Sequence, residues 1–130
     1  MIEYLSLGEL FRAQASSYPD RIAVVLGDEE RSYAQLDRES DQFAARLVQQ
    51  GVGAGDQVAL LVPRSIQFMI AMLGILKAGA VCVPVPTSLP RGRLSQVLSA
   101  TKVTIVLRFS HFNFEYATAQ HLLVDELGRA

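Results

Sequence analysis

Apolar and polar positions along the 130-residue chain change period several times, and each change marks an element. The run Ser6-Leu7-Gly8-Glu9 predicts a helix start. Ser6 can cap a backbone N–H while Glu9 reaches back to the cap, and Leu5 and Leu10 occupy the staple positions around it. Leu7, Leu10 and Phe11 are expected on its apolar face, and Pro19 ends it. Residues 22–26 (Ile-Ala-Val-Val-Leu) form a β-branched run that predicts a strand. Gly27-Asp28 can turn the chain, so that Glu30, Arg31 and Ser32 pair back as a small hairpin. Ser32-Tyr33-Ala34-Gln35 is a second capping box. Leu36, Ser40, Phe43, Ala44 and Leu47 follow at helical spacing, and Gly51 closes the helix as a left-handed cap.

The next elements alternate. Val58 to Val62 is a continuous apolar run, the pattern of a strand buried on both faces. Pro63-Arg64-Ser65 breaks it, and residues 66–76 are apolar nearly all round, which predicts a heavily buried helix with Met69 and Met72 as core filling. Ala78-Gly79 closes that helix. A strand follows over 81–85, then a loop over 86–90, a helix over 91–102 with Leu94, Val97 and Leu98 inward, and a strand over 103–107. Residues 108–119 show no clear period. A short strand over 121–124 precedes a polar tail. Strands alternating with helices from Ile22 onward predict an α/β domain, with a largely parallel sheet and helices on both faces.

Composition narrows the classes of function. Half of the residues are hydrophobic and 19% are charged, enough apolar material for one packed domain over residues 1–130. The net charge of -1 gives no electrostatic case for nucleic acid. The apolar stretch 66–76 is too short to span a bilayer, which needs about 20 residues. There is neither a basic n-region nor an apolar h-region at the N-terminus. Cys82 is the single cysteine and lies in an apolar run, where it acts as a small hydrophobe. A lone cysteine suits a reducing cytoplasm.

Candidate chemistry is sparse. The glycine-rich stretch 51–56 follows a helix and opens a strand, the reverse of a phosphate-cradling loop, and so reads as a connection. His111 and His121 have no metal-ligand spacing. Asp37, Glu39 and Asp41 read as the solvated face of a helix rather than an acid/base pair. Lys77 ends one helix and Lys102 follows another, and the chain has no other lysine.

Several segments, in order, resemble the adenylate-forming superfamily of acyl-CoA synthetases, luciferases and nonribosomal peptide synthetase adenylation domains. Ser32-Tyr33-Ala34-Gln35-Leu36 is similar to the family's Leu-Thr/Ser-Tyr-x-Glu-Leu, with Arg31 and Gln35 departing from it. Leu76-Lys77-Ala78-Gly79-Ala80-Val81-Cys82-Val83-Pro84-Val85 is similar to Leu-Lys-Ala-Gly-x-Ala-Tyr-Val-Pro-Ile/Leu. Cys82 stands there for the usual tyrosine, and Pro86 replaces an aspartate common in the peptide-synthetase branch, a departure toward the acyl-activating branch. Gly55-Asp56-Gln57-Val58-Ala59-Leu60 resembles the family's strand entry, Pro19-Asp20-Arg21-Ile22-Ala23 its opening segment, and Leu89-Pro90-Arg91-Gly92-Arg93-Leu94 a later helix entry.

The resemblance runs from about Leu5 to Leu107, and its matched motifs are the packing ones. It implies an N-terminal subdomain of the adenylate-forming fold, truncated before the phosphate-binding loop. The complete family enzyme joins ATP to a carboxylate with Mg²⁺ and passes the acyl group to a thiol. For this chain alone the resemblance implies no catalytic, cofactor-binding or metal-binding residue and no adenylation. It reads as a fragment or split half that needs a second chain for the ATP site. The alternative is a non-catalytic interaction or scaffold module of a nonribosomal peptide or acyl-activating system. Either reading implies self-association or a partner protein, namely the rest of an adenylating enzyme, a synthetase or a carrier protein. Residues 109–116, with Phe109, Phe112, Phe114 and Tyr116, are the candidate for covering the surface so exposed, or else a plain loop with core anchors.

Overall fold

The computed structural model describes residues 7–114, 116 and 119–127. Ser6 and Leu5, and hence the first capping box and its staple, lie outside them. Eleven elements follow in chain order: α1 (Leu7–Ser17), β1 (Ile22–Leu26), β2 (Glu29–Ser32), α2 (Tyr33–Gln49), β3 (Gln57–Leu61), α3 (Ile66–Lys77), β4 (Val81–Pro84), α4 (Arg91–Ser99), β5 (Ile105–Arg108), β6 (Gln120–Leu123) and α5 (Val124–Leu127). β1 and β2 form the antiparallel hairpin, turning at Gly27 with φ of 61°. The other four strands make one parallel sheet in the order β4-β3-β5-β6.

The sheet's two faces separate by the alternation of side chains along a strand. Val58, Leu60, Ile105 and Leu107 face the layer that contains Phe43, Leu47, Ala71 and Ile75 of α2 and α3. Ala59, Leu61 and Val106 face Leu94 and Leu98 of α4, together with Val85 and Phe114. Helices therefore cover both faces, as the alternating pattern predicts. β3 sits inside the sheet, which explains why Val58, Ala59, Leu60 and Leu61 are fully buried on both sides.

α2 follows its sequence pattern closely. The Ser32 hydroxyl accepts from Gln35 N at 3.2 Å, and Ser32 N donates to the Gln35 side-chain oxygen at 2.9 Å. Leu36, Ser40, Phe43, Ala44 and Leu47 are all buried. Gly51, at φ of 90°, takes the left-handed position that ends the helix.

Other elements differ from expectation. Leu10 is 48% exposed, because α1 packs through Gly8, Phe11 and Ala15 instead. Phe11 reaches the Tyr33 ring, the two centroids lying 5.6 Å apart. α3 is less uniformly buried than its composition suggests. Met72 packs against the first core as half-buried filling, and Met69 is half-buried. α4 stops at Ser99 rather than 102, where the Thr101 hydroxyl donates to Leu98 O at 2.9 Å and the chain turns. β5 accordingly begins at Ile105. β6 starts one residue early, and Val124 opens α5, an element the sequence pattern does not announce.

Residues 109–116 prove to carry core anchors. Phe114 is buried, Phe112 and Tyr116 pack on the α4 side of the sheet, and Phe109 packs on the other. Ser110 is tied to α5, its N donating to Asp125 Oδ1 at 2.8 Å and its hydroxyl to the same carboxylate. Among the described residues no helix is long and apolar enough to cross a membrane.

Candidate functional site

In open parallel α/β sheets the carboxyl ends of the strands converge on a crevice outside the sheet, where ligands bind. In this chain a cleft opens beyond β3 and β4, one strand away from the β3–β5 switch point. Residues 62–64 leave β3, residues 84–88 leave β4, and Phe68 of α3 closes one side; together they enclose a cleft of about 470 Å³. Its rim is fixed by local chemistry. Ser65 caps α3 by accepting from Phe68 N at 3.1 Å while its hydroxyl donates to Pro63 O at 2.8 Å. Pro63, Pro84 and Pro86 restrict both exits from the sheet. Arg64 is the charged residue on the wall and is exposed.

A second polar centre joins α2 to α3. The Lys77 ammonium, with its side chain only 6% exposed, donates to Asp37 Oδ1 at 2.7 Å, Asp37 O at 3.0 Å, Ser40 Oγ at 2.7 Å and Asp41 Oδ1 at 2.9 Å. Asp41 also accepts from Arg12 of α1 at 2.6 Å, and the Phe11 ring lies 5.7 Å from the ammonium. The expectation of a solvated acidic face is thereby corrected. Asp37 and Asp41 clasp a buried cation, and Glu39 pairs with Arg31 at 3.2 Å. Lys77 is satisfied by residues 36 to 40 positions away in sequence, which is why periodicity within one helix could not find them. With four oxygens around three protons the ammonium is fully committed, so its role here is to fasten two helices.

The remaining candidates disperse. His111 stacks on Phe109 at 5.2 Å and is exposed. His121 is half-buried. Its Nδ1 accepts from Arg108 Nε at 3.1 Å, and its Nε2 lies 3.2 Å from both Tyr116 N and Tyr116 O. Arg108 also donates to Phe109 O and Phe112 O, so the pair holds the aromatic loop against the sheet. Among the described residues no three of His, Cys, Asp and Glu converge as metal ligands. Cys82 packs against the first core, and burial pushes its thiol from 9.0 up to about 11. Alkylation at pH 8 is therefore expected to run about a hundredfold slower in the folded chain than in urea, because the reactive thiolate is scarcer by that factor. Equal rates would refute the assignment.

The architecture is thus an open α/β domain with a cleft at the carboxyl ends of two adjacent parallel strands. Comparison with known proteins sharpens this: the model of the family described as AMP-binding enzyme matches residues 11–128, and the chain belongs to that family. Tyrocidine synthase 2 of Brevibacillus parabrevis is 35% identical over 113 residues, covering 87% of this chain and 3% of that protein. The medium/long-chain-fatty-acid–CoA/3-oxocholest-4-en-26-oate–CoA ligase of Mycobacterium marinum is 41% identical over 90 residues, 69% of this chain and 16% of the ligase. In structure, the N-terminal subdomain of Klebsiella oxytoca NpsA superposes with a TM-score of 0.91 at 26% identity, over 96% of this chain and 33% of that one. The chain therefore spans a small part of the relatives it matches, and it corresponds to part of an adenylation-domain N-terminal subdomain.

The groups that could meet a nucleoside triphosphate are largely engaged within the chain. In the 51–56 loop, Gly51 N bonds Val48 O, Val52 N bonds Leu47 O, Gly53 N bonds the Asp56 carboxylate at 2.8 Å and Asp56 N bonds Gly53 O. Lys77 is bound elsewhere, and Lys102 is an exposed residue in the turn after α4.

Proposed function

We propose that this chain is the leading part of an acid-activating, AMP-forming enzyme of the kind found in nonribosomal peptide synthetases, and that it supplies scaffold and cleft wall rather than phosphate chemistry. The observation that carries this reading is the fit of 96% of the chain onto one third of an adenylation subdomain, with the packing motifs present and Lys77 engaged within the chain. Residues 1–130 then form a single unit that does not adenylate alone. ATP and Mg²⁺ are held by the remainder of the enzyme, supplied on the same or a separate polypeptide. The relatives in both the peptide-synthetase and CoA-ligase branches support the reaction class without selecting the acid.

The test is ATP–pyrophosphate exchange across a panel of amino, aryl and fatty acids. The purified chain alone is expected to give background. Adding full-length NpsA from which the aligned stretch has been removed is expected to raise exchange above either component. Exchange by the chain alone would reject the reading.

A further inference from the structure

β5 and β6 are joined by a side-chain contact that suits only an uncharged histidine. The register pairs Val106 with His121 and Arg108 with Leu123, which puts the Arg108 and His121 side chains on the same face of the sheet. There Arg108 Nε donates to His121 Nδ1 at 3.1 Å, while Nε2 lies 3.2 Å from Tyr116 N and 3.2 Å from Tyr116 O. The ring thus meets two donors and one acceptor. An imidazolium carries a proton on each nitrogen and can accept at neither. It would face Arg108 Nε and Tyr116 N donor against donor, with the guanidinium charge beside its own.

The other charged groups nearby do not replace that contact. Glu126 of α5 lines the groove beside His121 and is exposed, so water weakens its pull on an imidazolium. Asp125 of the same helix is engaged by Ser110. α2 contributes the neutral Gln50 to that groove. On the α4 side, the Tyr116 hydroxyl shares a hydrogen bond with Ser99, and Arg91 lies over the Phe112 ring at 4.4 Å, a further cation rather than an acceptor. His111, the chain's other histidine, is exposed and stacks on Phe109.

What the contact holds in place is a loop. The same guanidinium donates from Nη1 to Phe109 O at 3.2 Å and to Phe112 O at 3.0 Å. Arg108 pairs in register with Leu61, the last residue of β3, so this loop leaves the sheet at the β3–β5 switch point, next to residues 62–64 of the cleft wall. We propose that Arg108 and His121 form an acid-released latch on residues 109–114. Neutral His121 keeps the guanidinium on the loop carbonyls; a second ring proton, taken from solvent, parts the pair and loosens the loop. Phe114 in the core and the Ser110–Asp125 bonds limit the change to a local opening. The inference concerns the chain itself and stands apart from the reaction proposed above.

The test is amide exchange of the full chain by mass spectrometry, corrected for intrinsic exchange, at about pH 8 and about pH 5.5. A solvated histidine is half protonated near about pH 6.5 and carboxylates near about 4, so this range spans the histidine and stays above the carboxylates. An opening that admits one such proton gains about tenfold one pH unit below that midpoint, because the open form binds the extra proton. Residues 109–114 are therefore expected to exchange about tenfold faster at the lower pH, with α3 unchanged. His121→Asn keeps an oxygen acceptor near the Nδ1 position and has no proton to gain, so its loop is expected to exchange within about twofold at the two pH values. His111→Asn is expected to keep the parent's response. If the His121→Asn chain does not fold, imidazole nitrogen NMR of the parent decides, and the loop's exchange is expected to follow the titration of His121 and not that of His111. A loop indifferent to pH overturns the inference. So does an equal response in His121→Asn, a response lost in His111→Asn, exchange that tracks His111, or α3 loosening in step with the loop.

Discussion

Replacing Gly74 with leucine is expected to cost the fold about 3 kcal/mol or more, a drop of roughly 10 °C in melting temperature for a domain of this size. Gly74 lies inside α3, where glycine is ordinarily a poor choice, destabilising a helix by about 1 kcal/mol relative to alanine. The reason for it is contact. A Cβ at this position would stand 2.7 Å from Phe43 Cδ1, 3.3 Å from Phe43 Cβ and 3.3 Å from the backbone N of Ala44. Phe43 is buried in the first core and cannot swing aside, and the Ala44 nitrogen belongs to α2 itself. Any side chain must push the two helices apart. Gly74→Ala is therefore expected to destabilise by about 1 kcal/mol in spite of its better helix propensity. Phe43→Leu should relieve part of that penalty, giving non-additive values in a double-mutant cycle. Urea unfolding measures all three. A Gly74→Ala variant more stable than the parent, or strict additivity with Phe43→Leu, would show that the close approach is not limiting.

The same contact shows what is legible in the sequence. The buried face of α2 can be read residue by residue, because a capped helix with apolar positions at 36, 43, 44 and 47 has one way to face a core. β3 can be read as a buried strand because five consecutive apolar residues leave no polar side. By contrast, the apolar pattern misplaces the face of α1 at Leu10. Apolarity points to the large side chains, whereas the fold turns Gly8 and Ala15 inward with Phe11 and leaves Leu10 outside. α5 escapes notice because its four residues have no period; it is held by Val124, buried in the first core, and by Asp125 binding Ser110 fifteen residues away. The cleft beyond β3 and β4 is out of reach for a similar reason. Its walls come from loops 20 or more residues apart that meet only because the two strands are parallel neighbours.

The charged residues teach the opposite lesson. Read as isolated helix positions, Asp37 and Asp41 look solvated, one turn apart on a polar face. In the fold they carry the connection between the two family motifs, since α2 begins with one and Lys77 belongs to the other. The packing motifs thus have a polar component as well as an apolar one. Its loss should be visible in stability even though it touches no reacting group.

Lys77→Met keeps the volume of the side chain and removes the cation, and is expected to destabilise the chain by about 2–3 kcal/mol. Removing one partner of a fully buried ion pair costs about 3–5 kcal/mol, because the other charge is left unpaired. Here Asp37 and Asp41 keep 24% and 44% exposure of their side chains, so water recovers part of the loss. What it does not recover is the repulsion of two carboxylates at i and i+4 that had shared one cation, nor the bond that the buried Ser40 hydroxyl accepts from Lys77, although that hydroxyl still donates to Asp37 O. Two companion variants separate these contributions. Asp37→Asn in the Lys77→Met background removes the repulsion and is expected to restore about 1 kcal/mol. Lys77→Arg preserves the charge, yet a planar fork cannot point at four oxygens gathered around one atom, so it is still expected to cost about 1 kcal/mol or more. Arg12 should soften every one of these changes slightly, since it already lies on Asp41 from α1. Urea midpoints with an unchanged denaturant slope are the measurement. If Lys77→Met unfolds at the parent's midpoint, the ammonium is a bystander, and the joint between α2 and α3 rests on Gly74 and its apolar neighbours alone.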